Sequence, residues 1–327
     1  MATSKTALII GISGQDGSYL AASLIAKGYT VHGTSRDKEL ANFANLKTLG
    51  IYERVTLHSA TVTDFRSVVQ VIRETQPNEI YNLAAQSSVG LSFTQPVETL
   101  DSVIFGTVNL LEAMRFLGED IRYYSASSSE CFGVTPPGGA VETTAFVPRS
   151  PYSIAKASAH WIVANYREAY GLHACSGLLF NHESPLRPAR YVTQKIVRGA
   201  VAIARHRQAT LALGNLDVTR DWGWAPEFVE AMWLMLQLPQ PQDLVIATGK
   251  PASLRDFTAR AFARLDLDWQ KYVVSDEAFL RPVELDFSCG NASRARERLG
   301  WTATVHWDEV VDRLVDAELA RQERQDR

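Results

Sequence analysis

Short apolar runs at 7–10, 29–34, 55–58, 79–84 and 122–126, separated by stretches of helical spacing, leave few folds open to this chain. Strands this short and this apolar are buried on both faces, which is the condition of a parallel sheet. Parallel neighbours need a crossover between them, and a helix is the usual one. Segments 18–27 and 65–76 have that spacing; in the second, Val68, Val69, Val71 and Ile72 fall on one face. Residues 96–117 and 151–170 read as two longer helices, and 172–180 as a sixth strand.

Past residue 181 the composition turns to loops rich in Pro, Arg and Gly, with isolated elements expected at 211–214, 228–238, 243–247 and 253–265. A helix is expected at 310–321 and a frayed end at 322–327. Hydrophobic residues make up 46% of the 327, enough to build one large core or two unequal ones without staples. The expected division is 1–181, a dinucleotide-binding unit, and 182–327, mainly a substrate-binding region with some segments returning to the first sheet.

Thirty-three basic residues against 36 acidic ones give no field that would recruit nucleic acid or an anionic membrane. Anionic ligands must therefore be held by local Arg and Lys. Cys131, Cys175 and Cys289 are odd in number and far apart, which suits a reducing compartment and offers no metal-ligand spacing. Lys5 precedes only the run 7–10, ended by Gly11, so no signal peptide is read. No apolar span is long enough for a bilayer, and a cytoplasmic protein is expected.

Gly11-Ile12-Ser13-Gly14-Gln15-Asp16-Gly17 joins the first strand to the first helix. Glycines there allow a tight turn and let backbone N–H groups approach a pyrophosphate at the helix N-terminus. The expected fold is thus α/β, a Rossmann-type doubly wound parallel sheet with a smaller C-terminal substrate-binding region. The second strand ends in Ser35-Arg36-Asp37. Arg36 would pair with the extra phosphate of NADP and Asp37 with the free ribose of NAD; Arg36 comes first, so NADP is expected, with NAD the alternative.

Ser128-Ser129-Glu130 and Tyr152-x3-Lys156 carry the chemistry. Residues four apart share a helix face, so Tyr152 and Lys156 address one ligand. A phenol titrates near ~10, and lowering it by about 3 units takes roughly 4 kcal/mol of preferential phenolate stabilisation, which an ammonium and a nicotinamide cation supply together. Ser128 would bond the hydroxyl that Tyr152 deprotonates. Once carbon 4 of a hexose is a ketone the carbon-5 proton is acidic, and Glu130 would remove it and return a proton to the departing carbon-6 hydroxyl. Tyr191-x3-Lys195 repeats the Tyr/Lys spacing without the Ser-rich strand end.

These motifs, with Arg149-Ser150-Pro151-Tyr152, Asn181-His182-Glu183-Ser184-Pro185, Arg220-Asp221-Trp222-Gly223 and Leu280-Arg281-Pro282-x-Glu284, resemble the extended short-chain dehydrogenases/reductases, specifically the GDP-mannose 4,6-dehydratases, over nearly the whole chain. The resemblance implies that the 11–17 loop, Arg36, Leu83, Ala84, Ala85, Tyr152 and Lys156 line the cofactor. It implies that Ser87, Ser129, Asn181, Lys195, Arg220, Arg281 and Glu284 bind a GDP-sugar, with Lys195, Arg220 and Arg281 on the diphosphate and Glu284 on ribose hydroxyls. His182 reads as a packed or hydrogen-bonding histidine, not a metal ligand. A homodimer is implied, with a tetramer as the alternative.

The chain departs from the family pattern at four places. Ser128 stands where Thr is usual. Arg36-Asp37-Lys38-Glu39 replaces paired arginines and a serine-rich loop, Ala60-Thr61-Val62 replaces Gly-Asp-Leu, and Pro188 and Gln194 replace Gly and Arg. The activity implied is dehydration of GDP-mannose to GDP-4-keto-6-deoxymannose with recycled NADP. The alternatives are dehydration of a related sugar such as GDP-manno-heptose, or a GDP-4-keto-sugar reductase or epimerase.

Overall fold

The computed structural model describes residues 4–118 and 120–326. Its first half runs β1 (Thr6–Ile10), α1 (Gln15–Ala26), β2 (Thr30–Ser35), α2 (Ala44–Thr48), β3 (Thr56–Ser59), α3 (Phe65–Thr75), β4 (Glu79–Asn82), α4 (Val89–Thr94), α5 (Pro96–Leu100), α6 (Gly106–Leu117), β5 (Arg122–Ser128), α7 (Pro151–Tyr170) and β6 (Ala174–Leu179). Then follow β7 (Asn181–Glu183), α8 (Val192–Ala204), β8 (Leu211–Leu213), β9 (Thr219–Trp224), α9 (Ala225–Gln237), β10 (Leu244–Ile246), β11 (Pro251–Ser253), α10 (Leu254–Ala263), β12 (Val273–Ser275), β13 (Phe287–Ser288), α11 (Ser293–Leu299) and α12 (Trp307–Gln325).

Seven parallel strands form the main sheet in the order β3-β2-β1-β4-β5-β6-β10. The order reverses between β1 and β4, and ligands of such sheets bind in the crevice at that reversal. Period-two alternation assigns β1 to both faces. Ala7 and Ile9 pack with Leu20 and Leu24 of α1 and with Phe228 and Met232 of α9. Leu8 and Ile10 pack with Val71 and Ile72 of α3 and Leu110 of α6. A separate core of Val197, Trp222, Phe257, Phe262 and Leu314 lies under the second half.

Two expectations need correction. The helix expected at 96–117 is interrupted by a π-helical turn at Asp101–Phe105. Hydroxyls of Thr99, Ser102 and Thr107 bond back to carbonyls four residues earlier at 2.7–2.8 Å, which loosens a helical ladder. The end expected to fray at 322–327 is helical to Gln325. Asp326 accepts from Arg205 at 2.6 Å and Arg207 at 2.8 Å, and Gln322 accepts from Arg207, so the residues just past α8 anchor the tail; residue 327 lies outside the described residues. Among the described residues no helix is long and apolar enough to cross a membrane.

Candidate active site

The loop after β1 is shaped by two glycines and leaves a third open. Gly11 has φ +86°, and a Cβ there would meet the Ala84 backbone at 2.9 Å. A Cβ on Gly17 would strike the Gly11 carbonyl at 2.5 Å. Gly14 has ordinary extended backbone, and a Cβ there would meet nothing nearer than the Gly11 carbonyl at 3.5 Å. The fold does not require a glycine at 14, and its missing side chain leaves the start of α1 uncovered.

The side chains of Gln15 and Asp16 turn inward to β7 and the residue after it. Gln15 donates to the His182 carbonyl at 3.2 Å and accepts from Ser184 at 2.7 Å. Asp16 pairs with His182 Nε2 at 2.9 Å, and His182 stacks on Phe228. Burial works to raise Asp16, but His182 beside it prevails and holds the carboxyl at about 2; burial likewise works to lower His182, and Asp16 raises it on balance. The N–H groups of residues 15–17 precede the first intrahelical bond of α1, Ser18 N–H to the Gly14 carbonyl, and so lie at the helix end. Ser13 is exposed, and its carbonyl accepts from Asn45 at 3.0 Å. Leu83, Ala84 and Ala85 follow β4 beside this loop, Leu83 N–H bonding the Ile10 carbonyl at 3.0 Å.

At the end of β5 the chain folds into a 3-10 turn, Ser129–Phe132, with Ser129 buried and Ser128 Oγ accepting from Glu130 N–H at 3.2 Å. That turn lifts Glu130 out of the sheet. Ser150 caps α7 with Pro151 at its first position, and Ser153 completes a capping box, so Tyr152 sits in the first turn and Lys156 one turn on. Lys156 Nζ donates to the Ala126 carbonyl at 2.7 Å and lies 5.9 Å from the Tyr152 ring centre. Burial pushes the Tyr152 phenol up, with Ser128 pulling it down, and burial pushes Lys156 down to about 8. Ser128, Glu130 and Lys156 all lie close to Tyr152, but the protein alone does not acidify its phenol. Cys131, behind them, is buried and pushed up to about 12 by that burial, a packing residue.

Facing Glu130 is a charged cluster. Arg220, on β9, is buried and gives Nη1 to the Leu285 carbonyl at 2.6 Å and Nη2 to Glu284 at 2.9 Å; Arg281 reaches the same Glu284 oxygen at 3.4 Å. Burial raises the Glu130 carboxyl, Arg220 and Arg281 pull it down, and Glu284 adds to the rise. The neighbour of Arg220, Asp221, is a brace: it accepts from Thr248 N–H, Thr248 Oγ1 and Gly249 N–H at 2.6–3.0 Å, tying β9 to the end of β10. Asn181 begins β7 opposite Trp222, two residues from Arg220. Among the described residues Lys195 Nζ has no hydrogen-bond partner, and it lies 3.0 Å from the centre of the Phe279 ring; burial pushes it down.

A family model described as GDP-mannose 4,6 dehydratase matches residues 8–314 of the chain. The chain belongs to that family. It is 47% identical over 334 residues to GDP-mannose 4,6 dehydratase 2 of Arabidopsis thaliana, covering 98% of this chain and 89% of the relative. Its fold is that of dTDP-glucose 4,6-dehydratase from Bacillus anthracis in complex with NAD, with a TM-score of 0.85 at 20% identity over 98% of each chain. RMD from Pseudomonas aeruginosa complexed with NADPH has the same fold, with a TM-score of 0.79 at 20% identity over 97% of this chain and 98% of that one.

Among GDP-mannose 4,6-dehydratases this chain's own substitutions have visible local settings. Val62 fills the space against Gly106, whose Cβ would meet it at 2.9 Å. Gln194 is buried, donating to the Ser184 carbonyl at 3.0 Å and accepting from Arg198 at 3.3 Å. Two residues to which the sequence motifs assign no role, Arg187 and Tyr191, also stand at the site. Arg187 is held against the Tyr191 ring at 3.8 Å, with Nε unbonded and 3.6 Å from Glu183. Tyr191 itself meets Ser87 at 2.6 Å. The Tyr191-x3-Lys195 spacing was their one signal, and it read as a repeat without context.

Proposed function

We propose that the chain dehydrates GDP-mannose to GDP-4-keto-6-deoxymannose with a nicotinamide cofactor that is used and regenerated within each turnover. The observation that carries this reading is the position of Glu130, which stands beside Ser128 and Tyr152 and faces Arg220 and Arg281. A plain reductase needs Tyr152 and Lys156; it has no use for a carboxyl raised by burial between them and two guanidinium groups.

The opening at Gly14 and the N–H groups at the start of α1 fit a dinucleotide pyrophosphate. Arg36 is 83% exposed, its nearest acidic partner among the described residues being Glu98 at 3.6 Å, while an oxygen of Asp37 is spent on the N–H groups of Glu39 and Leu40 at 2.9 and 3.2 Å. The basic residue is exposed and only loosely paired while the acidic one is partly engaged by backbone, which favours NADP over NAD. When bound, the cofactor supplies a hydride acceptor and donor and a positive ring that favours the Tyr152 phenolate.

In this scheme Tyr152 takes the proton of the carbon-4 hydroxyl, which Ser128 orients. Glu130, ionised at the start of the elimination, removes the carbon-5 proton and hands a proton to the carbon-6 hydroxyl as it leaves as water. Arg220, Arg281 and Lys195 hold the diphosphate, and Asn181, Ser129 and Ser87 line the sugar. Glu284 moves from its two arginines to nucleotide ribose hydroxyls.

We also infer a homodimer built on α5, the π-helical turn that follows it, α6 and α7, where Val97, Phe105, Ile154 and Trp161 are exposed apolar side chains. Three free, buried cysteines fit a reducing cytoplasm. The test of the function is mass spectrometry of the purified protein acting on GDP-mannose. A product lighter by one water, formed without net consumption of added cofactor, is expected. Stoichiometric oxidation of NADPH, or a product of unchanged mass, would overturn the proposal in favour of a reductase or an epimerase.

A further inference from the structure

Tyr191 opens α8, and its carbonyl accepts the N–H of Lys195, so the two side chains stand one turn apart. Lys195 points to the Phe279 side, where the diphosphate is assigned. Tyr191 instead lies against Ser87 and Arg187, near Tyr152. Its hydroxyl meets Ser87 Oγ at 2.6 Å, and its ring is held from one face by the Arg187 guanidinium at 3.8 Å. It is close enough to Tyr152 for its ionised form to disfavour the Tyr152 phenolate. A sugar linked to a diphosphate on Lys195 and presented to Tyr152 must pass beside this ring.

Two hydroxyls that share one hydrogen bond still hold one unused donor and open lone pairs. A phenol has few rotatable bonds, and the stacked arginine fixes the ring, so this remaining capacity has a set direction. Such a pair suits one hydroxyl of a pyranose ring.

We propose that Tyr191, acting with Ser87, is a specificity-determining residue that reads a ring hydroxyl of the sugar presented to Tyr152. The inference rests on the GDP-sugar reading above and adds a residue to it. Selection comes from geometry: a sugar whose hydroxyl lies elsewhere leaves the pair facing an unmatched group.

The experiment compares the whole enzyme with Tyr191→Phe, Ser87→Ala and the double variant. GDP affinity is measured by calorimetry, and KM and kcat are measured on GDP-mannose. Expected for Tyr191→Phe are GDP affinity within twofold of the parent, an unchanged melting temperature and a KM raised about tenfold, the loss of one well-placed hydrogen bond. The double variant should be no worse than the poorer single one, because the two hydroxyls act as a unit. An unchanged KM in Tyr191→Phe would overturn the inference, and so would a loss of GDP affinity equal to the rise in KM. Failure of the parent enzyme to bind GDP at all would instead strike the GDP-sugar reading.

Discussion

Asp16, in the first turn of α1, and His182, in β7, lie 2.9 Å apart and fasten the glycine-rich loop after β1 to the segment that leads into the second half of the chain. Asp16 is held at about 2 against an ordinary 3.8, so its contribution to stability is complete above 3.8 and lost as pH falls toward 2. His182 is raised above 6.5, so its contribution is complete below 6.5 and lost as pH rises through its raised value. The pair stabilises fully between 3.8 and 6.5. His182→Ala should cost about 2–4 kcal/mol, because it leaves a largely buried carboxylate unpaired and empties the face of Phe228. Urea titrations at several pH values would check this; a parent whose stability rises above neutrality through this pair would contradict it.

Glu130→Gln keeps the shape of the site and removes the proton carrier. GDP binding should stay within a few-fold of the parent while water loss falls by about 10²–10⁴. Near-normal dehydration by this variant would end the assignment of Glu130 as the acid–base group.

Arg220 and Arg281 pull the Glu130 carboxyl down against burial and against Glu284. A diphosphate on the two arginines cancels that pull, so the complex holds Glu130 more protonated than the free enzyme. Binding of GDP should take up a fraction of a proton at pH values above the ordinary 4.5, and GDP affinity should weaken as pH rises through that window. Calorimetry in buffers of differing ionisation enthalpy measures the uptake, and Glu130→Gln should abolish it.

The buried Lys195 ammonium has no hydrogen-bond partner among the described residues. Lys195→Met should therefore leave the free protein as stable or more stable by about 1 kcal/mol while weakening GDP by about tenfold or more. A drop in melting temperature with unchanged GDP affinity would reverse the assignment.

The loop glycines separate folding from binding. Gly17→Ala drives a methyl onto a carbonyl at 2.5 Å and should destabilise by about 3 kcal/mol. Gly14→Ala meets no such obstacle and should cost at most about 1 kcal/mol as a helix cap, yet fluorescence titration should find NADPH binding strongly reduced.

The main sheet was legible because β1 is buried on both faces, so Ala7–Ile10 survives in the sequence as an uninterrupted apolar run; β4, equally buried, shows only Ile80 and Tyr81 between the polar Glu79 and Asn82. Ser128, Glu130, Tyr152 and Lys156 were legible because a strand end and a capped helix start bring them together through local geometry. β9 was not. Its buried pattern is carried by Arg220 and Asp221, whose charges hide a strand from any hydrophobic reading, and their partners Leu285, Glu284 and Thr248 lie 27–65 residues away. The setting of Tyr191 was hidden for a related reason. Its partner Ser87 is 104 residues distant, and nothing local to either announces the contact.

The last strand of the main sheet, β10, comes from residues 244–246, and α9 at residues 225–237 shares a face of that sheet with α1. A fragment ending near residue 181 would leave β6 an unprotected edge and strip the apolar cover from Ile9, Tyr81 and Tyr124. Such a fragment should aggregate rather than bind a dinucleotide. Exchange of sugar-recognising segments between relatives therefore has to leave 225–246 in place, which restricts recombination within this chain to the loops on either side of that stretch.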